Sequence, residues 1–268
     1  MELDALEFKH NPFAVSLSWL GLRAKRPSKD GLFTFLAYNL SPTIIYVDGY
    51  NLYYSRLKGT PYKWLDLGTL FCDRILKSQD PSAIVVCIKY FTSPVKASYA
   101  RHGEASAHAQ AQYHRALKAT HGDLLQIIQG FHIFGTTNVP AYVDGVEPDK
   151  KNLTPVWMIE EKQTDVNLAL QIYRDAVQGG CNQQVICTND SDLEPALHLV
   201  RLDAPNVQLG LVVPLREKGL TGGAVSNKRL INKVDWVRQH ILDFELEHSQ
   251  LPRSVNTKKK PAQKPAYW

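Results

Sequence analysis

"IIYVDGYNLYY", residues 44–54, decides how the chain is read. β-Branched and aromatic residues run straight into an acid, a glycine and an asparagine, as where a buried strand turns into a helix. A carboxylate at such a tip is costly to bury unless something pairs with it. Asp48 therefore either caps the next helix or belongs to a site.

The same alternation continues outward from this stretch. Strands are predicted over 43–48, 83–93, 123–135, 156–162, 183–190 and 207–214, from short apolar runs rich in β-branched residues. Helical spacing predicts helices over 64–77, 95–122, 164–180, 191–202 and 234–247. The helix at 164 has both ends marked, opening on Thr164-Asp165 and closing on Gly179-Gly180. The stretch after residue 135 holds prolines, glycines and an Asp-Gly pair, a hairpin signal. Apolar strands alternating with amphipathic helices imply an α/β fold, three layers with a mostly parallel central sheet covered on both faces.

At 268 residues, with 44% hydrophobic and 21% charged, the chain suits one sizeable α/β domain with extensions. Residues 1–42 read as an N-terminal extension, 43–247 as the domain and 248–268 as a basic, solvated tail. The tail's Arg253, Lys258, Lys259, Lys260 and Lys264 match the whole net charge of +5, so the body is close to neutral. No apolar run approaches the ~18 residues of a membrane helix. The acidic start lacks the form of a secretory signal, and Cys72, Cys87, Cys181 and Cys187 show no metal-binding or disulfide spacing. These features predict a reduced, cytoplasmic protein with no membrane partner.

In a parallel α/β sheet, ligands sit beyond the carboxyl ends of the strands. Asp48, Asp190 and Asp192 follow strand ends, and Asp165 starts a helix just past one. Such acids can simply be helix caps. Gathered in one pocket, four carboxylates would raise each other's pKa unless a cation neutralised them, and Mg²⁺ or Mn²⁺ prefers such oxygens. The chemistry expected of that site is phosphodiester hydrolysis, with Thr188, Asn189 and Asn51 positioning water or phosphate.

Three stretches, "YVDGYNLYY" (46–54), "EEKQTDVNLAL" (160–170) and "CTNDSDLEPAL" (187–197), resemble the NYN domain family of the PIN-like nuclease superfamily, in order. The resemblance spans roughly 43–245. It implies a Rossmann-like α/β/α fold and a metal-dependent ribonuclease, with RNA as partner. Carried over, Asp48, Asp165, Asp190 and Asp192 are its metal carboxylates, Asn51 a support, and Lys162 a group near the phosphate.

"GTPYKWLDL" (59–67) and "EKGLTGGAVSNKRL" (217–230) resemble a bacterial subgroup of that family. Some of its members are labelled 6-hydroxy-3-succinoylpyridine 3-monooxygenase, an NADH-dependent hydroxylase. This resemblance implies NADH, and flavin as a possible companion. Against it stand the lack of a G-x-G-x-x-G after a strand and the helical spacing of His102, His108 and His114, which puts them on different faces. The residues therefore favour the ribonuclease, with the hydroxylase and a silent RNA-binding module as alternatives. Polymer contacts are expected from Tyr50, Lys96, Arg101 and Lys228, and from the bases and aromatics around Lys89 and Tyr99.

Overall fold

The structure is a computed structural model that describes residues 40–217 and 226–268. Of the extension expected over 1–42, residues 1–39 lie outside the described residues, as does the glycine turn 219–223, while Ser41 and Pro42 open the first strand.

Six parallel strands form the central sheet: β1 (Ser41–Asp48), β2 (Ala83–Thr92), β3 (Leu125–Gln129), β6 (Gln183–Cys187), β7 (Gln208–Val212) and β8 (Trp236–Arg238). Their order is β3-β2-β1-β6-β7-β8. Alternate residues of β1 face opposite sides, as a strand's period requires. Ile45 and Val47 enter one core with Phe71, Leu117 and Leu246. Ile44 and Tyr46 enter the other with Leu168, Ile172, Leu197 and Val200.

The first core is covered by α2 (Thr69–Leu76, π-wound and continued through Lys77–Gln79), α3 (Glu104–His121) and α7 (Asp243–Glu247). The second is covered by α4 (Thr164–Val177), α5 (Glu194–Asp203) and α6 (Lys228–Ile231). The short α1 (Gly49–Leu52), continued as a π turn over Tyr53–Leu57, follows β1 directly. This is the three-layer α/β/α architecture expected from the alternation. Among the described residues no helix is long and apolar enough to cross a membrane.

Four expectations are corrected. The strand expected over 123–135 breaks at Gly130. Its missing side chain lets the backbone pass where a Cβ would lie 2.4 Å from the Lys162 carbonyl oxygen and Thr164 Oγ1. The chain then leaves the sheet as β4 (Phe131–Pro140), paired antiparallel with β5 (Leu153–Lys162) in a long hairpin. The helix expected over 95–122 begins only after Gly103, at a φ of 53°. The helix expected over 234–247 is a strand, β8, and a short helix, α7. Trp236 lies against Gly210 of β7, filling the space a side chain there would occupy.

The fourth correction concerns the tail, which is folded onto the body. β9 (Ser254–Val255) pairs with β10 (Ala262–Gln263). Ala262 is fully buried, Trp64 Nε1 donates to the Pro252 carbonyl (2.8 Å), and the Trp268 ring lies 6.1 Å from that of Trp64. The lysine run masked these apolar anchors. The lysines of that run, Lys258, Lys259 and Lys260, stay exposed.

Lys89, expected near the substrate, is buried. It donates to Asp175 Oδ2 and to Gln171 Oε1, both at 2.5 Å, and Tyr46 Oη donates to the same Asp175 oxygen (2.7 Å). Removing one partner of such a pair strands a buried charge. Lys89→Ala should therefore cost about 3–5 kcal/mol in urea unfolding. Gly210→Ala should cost about 1–3 kcal/mol, because Trp236 must move for the new Cβ.

Candidate functional site at the switch in strand order

β1 is followed by β2 on one side, while β6 returns to its other side, so the order of strands reverses between β1 and β6. Doubly wound sheets place ligands in the crevice at such a switch, beyond the carboxyl ends of the two strands. Asp48 ends β1 and caps α1: the Asn51 N–H donates to its Oδ1 (2.9 Å). The Thr188 hydroxyl, from the turn after β6, donates to its Oδ2 (2.8 Å). Asn51 Oδ1 accepts from the Asn189 N–H (3.0 Å), and Asn189 Oδ1 accepts from the Asn227 N–H (2.8 Å). The two strand ends and the start of α6 are thus tied together. Burial raises the Asp48 pKa, Asp190 adds to the rise, and the bonds from Asn51 and Thr188 oppose it.

Asp190 opens the next turn: its N–H donates to Thr188 Oγ1 (3.1 Å), and its Oδ1 accepts from the Asp192 N–H (3.0 Å). Asp165 stands in the first turn of α4. It is exposed as a residue, yet its carboxyl is crowded. Partial burial first, then the charges of Asp48, Asp190, Glu161 and Asp192, push its pKa up to about 6.

The four acids foreseen from the sequence do gather. Two of them, however, serve as caps: Asp48 on α1 and Asp190 on the turn before α5. Among the described residues no group of three or more His, Cys, Asp or Glu stands so as to hold a metal ion. The expectation of a Mg²⁺ or Mn²⁺ ligand set is corrected accordingly.

Glu161 belongs to the site and was missed. Its Oε1 accepts from the Ser93 hydroxyl (2.8 Å), the Thr164 N–H (3.3 Å) and the Thr164 hydroxyl. The signal was the two-residue period of β5: Glu160 and Lys162 share one face and form an ion pair, leaving Glu161 on the other. Lys162 is therefore tied to Glu160.

His132 on the hairpin was missed too; it lies 3.0 Å from the Tyr50 hydroxyl. Tyr50 stacks on Tyr54 (6.0 Å, 10°), and Tyr54 meets Tyr53 edge-on at 5.1 Å. Positions 50, 53 and 54 share one helix face. Burial, and then Glu161, raises the Tyr50 pKa.

Lys96, Arg101 and Lys228 are exposed. Lys228 is next to Asn227 and so adjoins the crevice. His102, His108 and His114 diverge, towards Tyr267, Gln112 and Tyr90. Burial first, and then Lys118, lowers the His114 pKa to about 4.

A relative from Pseudomonas putida (strain DSM 28022 / S16), 6-hydroxy-3-succinoylpyridine 3-monooxygenase HspA, is 40% identical over 245 residues, which cover 84% of this chain and 75% of the relative. No family model matches the chain. A crystal structure of a protein of unknown function from Vibrio parahaemolyticus RIMD 2210633 aligns with a TM-score of 0.43 at 14% identity, covering 76% of this chain and 95% of that one.

Crevice and kinship together define an α/β enzyme class. The chain belongs to the 6-hydroxy-3-succinoylpyridine 3-monooxygenase family. This relative overturns the metal-dependent ribonuclease expected from the acids, and with it the silent binding module. The acids were read correctly as neighbours and wrongly as a hydrolytic metal centre, because capping carboxylates at parallel strand ends produce the same spacing.

A raised carboxyl pKa means that the folded state holds its proton more tightly than the unfolded chain. Between the ordinary value near 3.8 and about 6, stability then falls as pH rises. Asp165→Asn should therefore melt above the wild type at pH 7.5, with the difference closing as pH drops from 6 to 4. Melting curves across that range check it.

Proposed function

We propose that the protein is an NADH-dependent aromatic hydroxylase acting on a 6-hydroxypyridine that carries an acyl side chain. The observation that carries this reading is the 40% identity to the monooxygenase across most of both chains. Such an enzyme puts one atom of O₂ on the substrate and reduces the other to water. The reductant, with any flavin, supplies the electrons and the activation of oxygen.

The crevice supports the part left to the protein. In a 6-hydroxypyridine the hydroxyl lies para to ring carbon 3, the position in the relative's name. Loss of the hydroxyl proton pushes electron density onto that carbon; oxygen placed there breaks its bond to the acyl group, which leaves as the aldehyde when a second NADH supplies two more electrons. Asp165, with a pKa of about 6, is ionised at neutral pH and basic enough to draw on that proton. Its partial burial first, and then its neighbours Asp48, Asp190 and Glu161, produce this poise. Tyr50, held by His132 and stacked on Tyr54, offers a fixed aromatic edge for a planar ring.

The test is NADH loss and product formation, followed by absorbance and mass spectrometry, with 6-hydroxy-3-succinoylpyridine and O₂. Wild type should consume NADH only with substrate present. Asp165→Asn should lower kcat by about 10²–10⁴ and remove the acid limb, the fall in rate as pH drops below about 6. Absence of any substrate-dependent NADH loss would sink the reading.

A further inference from the structure

A dinucleotide reductant brings two phosphates, and the usual place for them in this fold is closed. Doubly wound sheets seat a pyrophosphate on the helix that follows the first strand. Here that helix is the four-residue α1, and its open N–H is taken by the Asp48 carboxylate. Asp190, Asp165 and Glu161 stand around it. A phosphate would enter a ring of like charge that the exposed Lys228 at its margin offsets only in part. The reductant's phosphates do not fit at the switch in strand order.

Beyond the tyrosines of α1 the charge reverses. Lys63 Nζ lies 6.0 Å from the Tyr267 ring centre and 5.9 Å from that of Trp268, and donates to the Tyr267 carbonyl (3.5 Å). Lys264 Nζ donates to the Pro61 carbonyl (3.4 Å). The His102 ring meets Tyr267 at a tilt, 4.5 Å between ring centres, and the neighbouring Arg101 lies near Lys63.

Lys63 and Lys264 are half-buried, yet none of the ion pairs among the described residues includes Lys63, Arg101 or Lys264. Elsewhere the shielded cations Arg56, Arg201, Lys233 and Arg238 have carboxylate partners, and the half-buried Arg115 has hydroxyl and carbonyl acceptors. Burial, then Arg101 and Lys264, depresses the Lys63 pKa; burial, then Arg253, depresses that of Lys264. Like charges crowded this way, without a counter-charge, gain from an anion bridging them.

The patch is continuous with the crevice. Tyr53 lies within electrostatic reach of the Tyr267 phenol at one end of the row and meets Tyr54 at 5.1 Å, and Tyr54 stacks on Tyr50 at the other end. We propose that Lys63, Arg101 and Lys264 bind the diphosphate of the dinucleotide reductant, with Tyr53, Tyr54 and Tyr267 bordering the path to the crevice. This rests on the hydroxylase reading for the identity of the ligand. It gives the folded tail a role: Lys264 and Tyr267 are brought there only by the packing of β10 and Trp268.

The experiment is a titration of the full-length protein with NADH, followed by tryptophan fluorescence and calorimetry without substrate. The variants are Lys63→Gln/Arg101→Gln and, as a control on α3, Lys118→Gln, with melting curves and far-UV spectra for each. Wild type should bind NADH and ADP-ribose alike, more weakly at higher salt. The double variant should lose about tenfold or more in NADH affinity while folding normally, and Lys118→Gln should match wild type.

An NADH affinity in the folded double variant within about twofold of wild type overturns the proposal. So does absence of NADH binding by wild type. If hydroxylation proceeds with the NADH KM unchanged in the double variant, the patch fails and the hydroxylase reading stands. If no hydroxypyridine is turned over but NADH binding is lost in the double variant, the patch stands and that reading fails.

Discussion

The carboxylate of Asp48 holds the working edge of this protein together. One oxygen accepts the N–H of its own helix and the other accepts the Thr188 hydroxyl from the neighbouring strand's turn. Two parallel strands far apart in sequence are thereby joined at their carboxyl ends, with register set from Thr43↔Gln183 to Val47↔Cys187. Asn51, Asn189 and Asn227 extend the same bonding from α1 to α6. A buried carboxylate without these donors would be costly. With them it is an anchor that also fixes a negative potential in the crevice.

That potential shapes what the crevice can hold. It lifts the Asp165 pKa into a range useful for moving a proton at neutral pH. It also makes the strand edge a poor place for phosphate. The positive charge that a dinucleotide needs lies instead past an aromatic row, on Lys63, Arg101 and Lys264. The separation suits a reaction that joins a flat, proton-donating ring to a polyanionic reductant. It suits a nucleic-acid backbone laid across the acids less well.

Much of this was legible in the residues. The alternation of apolar runs and amphipathic helices led to the right layers, and the strand-end acids were read as neighbours. What misled was that helix capping and metal ligation ask for the same residues at the same places. Asp48 and Asp190 accept backbone N–H groups, and whether a carboxyl group has oxygens to spare depends on donors such as Thr188, which come from other strands. Glu161 was hidden in the acidic pair of "EEK", where the face each residue takes depends on β5 pairing with β4.

Sequence by itself determined the parallel α/β class, where most of its principal strands fall along the chain, and the placing of Asp48, Asp165, Asp190 and Asp192 at one edge. Local periodicity encodes those features, and the rule that parallel strands end on one edge extends them. Tertiary structure alone decided the rest. Gly130 sends a strand off the sheet because of the close pass it makes against Lys162 and Thr164. Trp236 becomes part of a strand because Gly210 leaves it room. A lysine-rich tail folds because Ala262 and Trp268 find cover on the core. Each outcome turns on a contact between residues distant in the chain, which no local pattern contains.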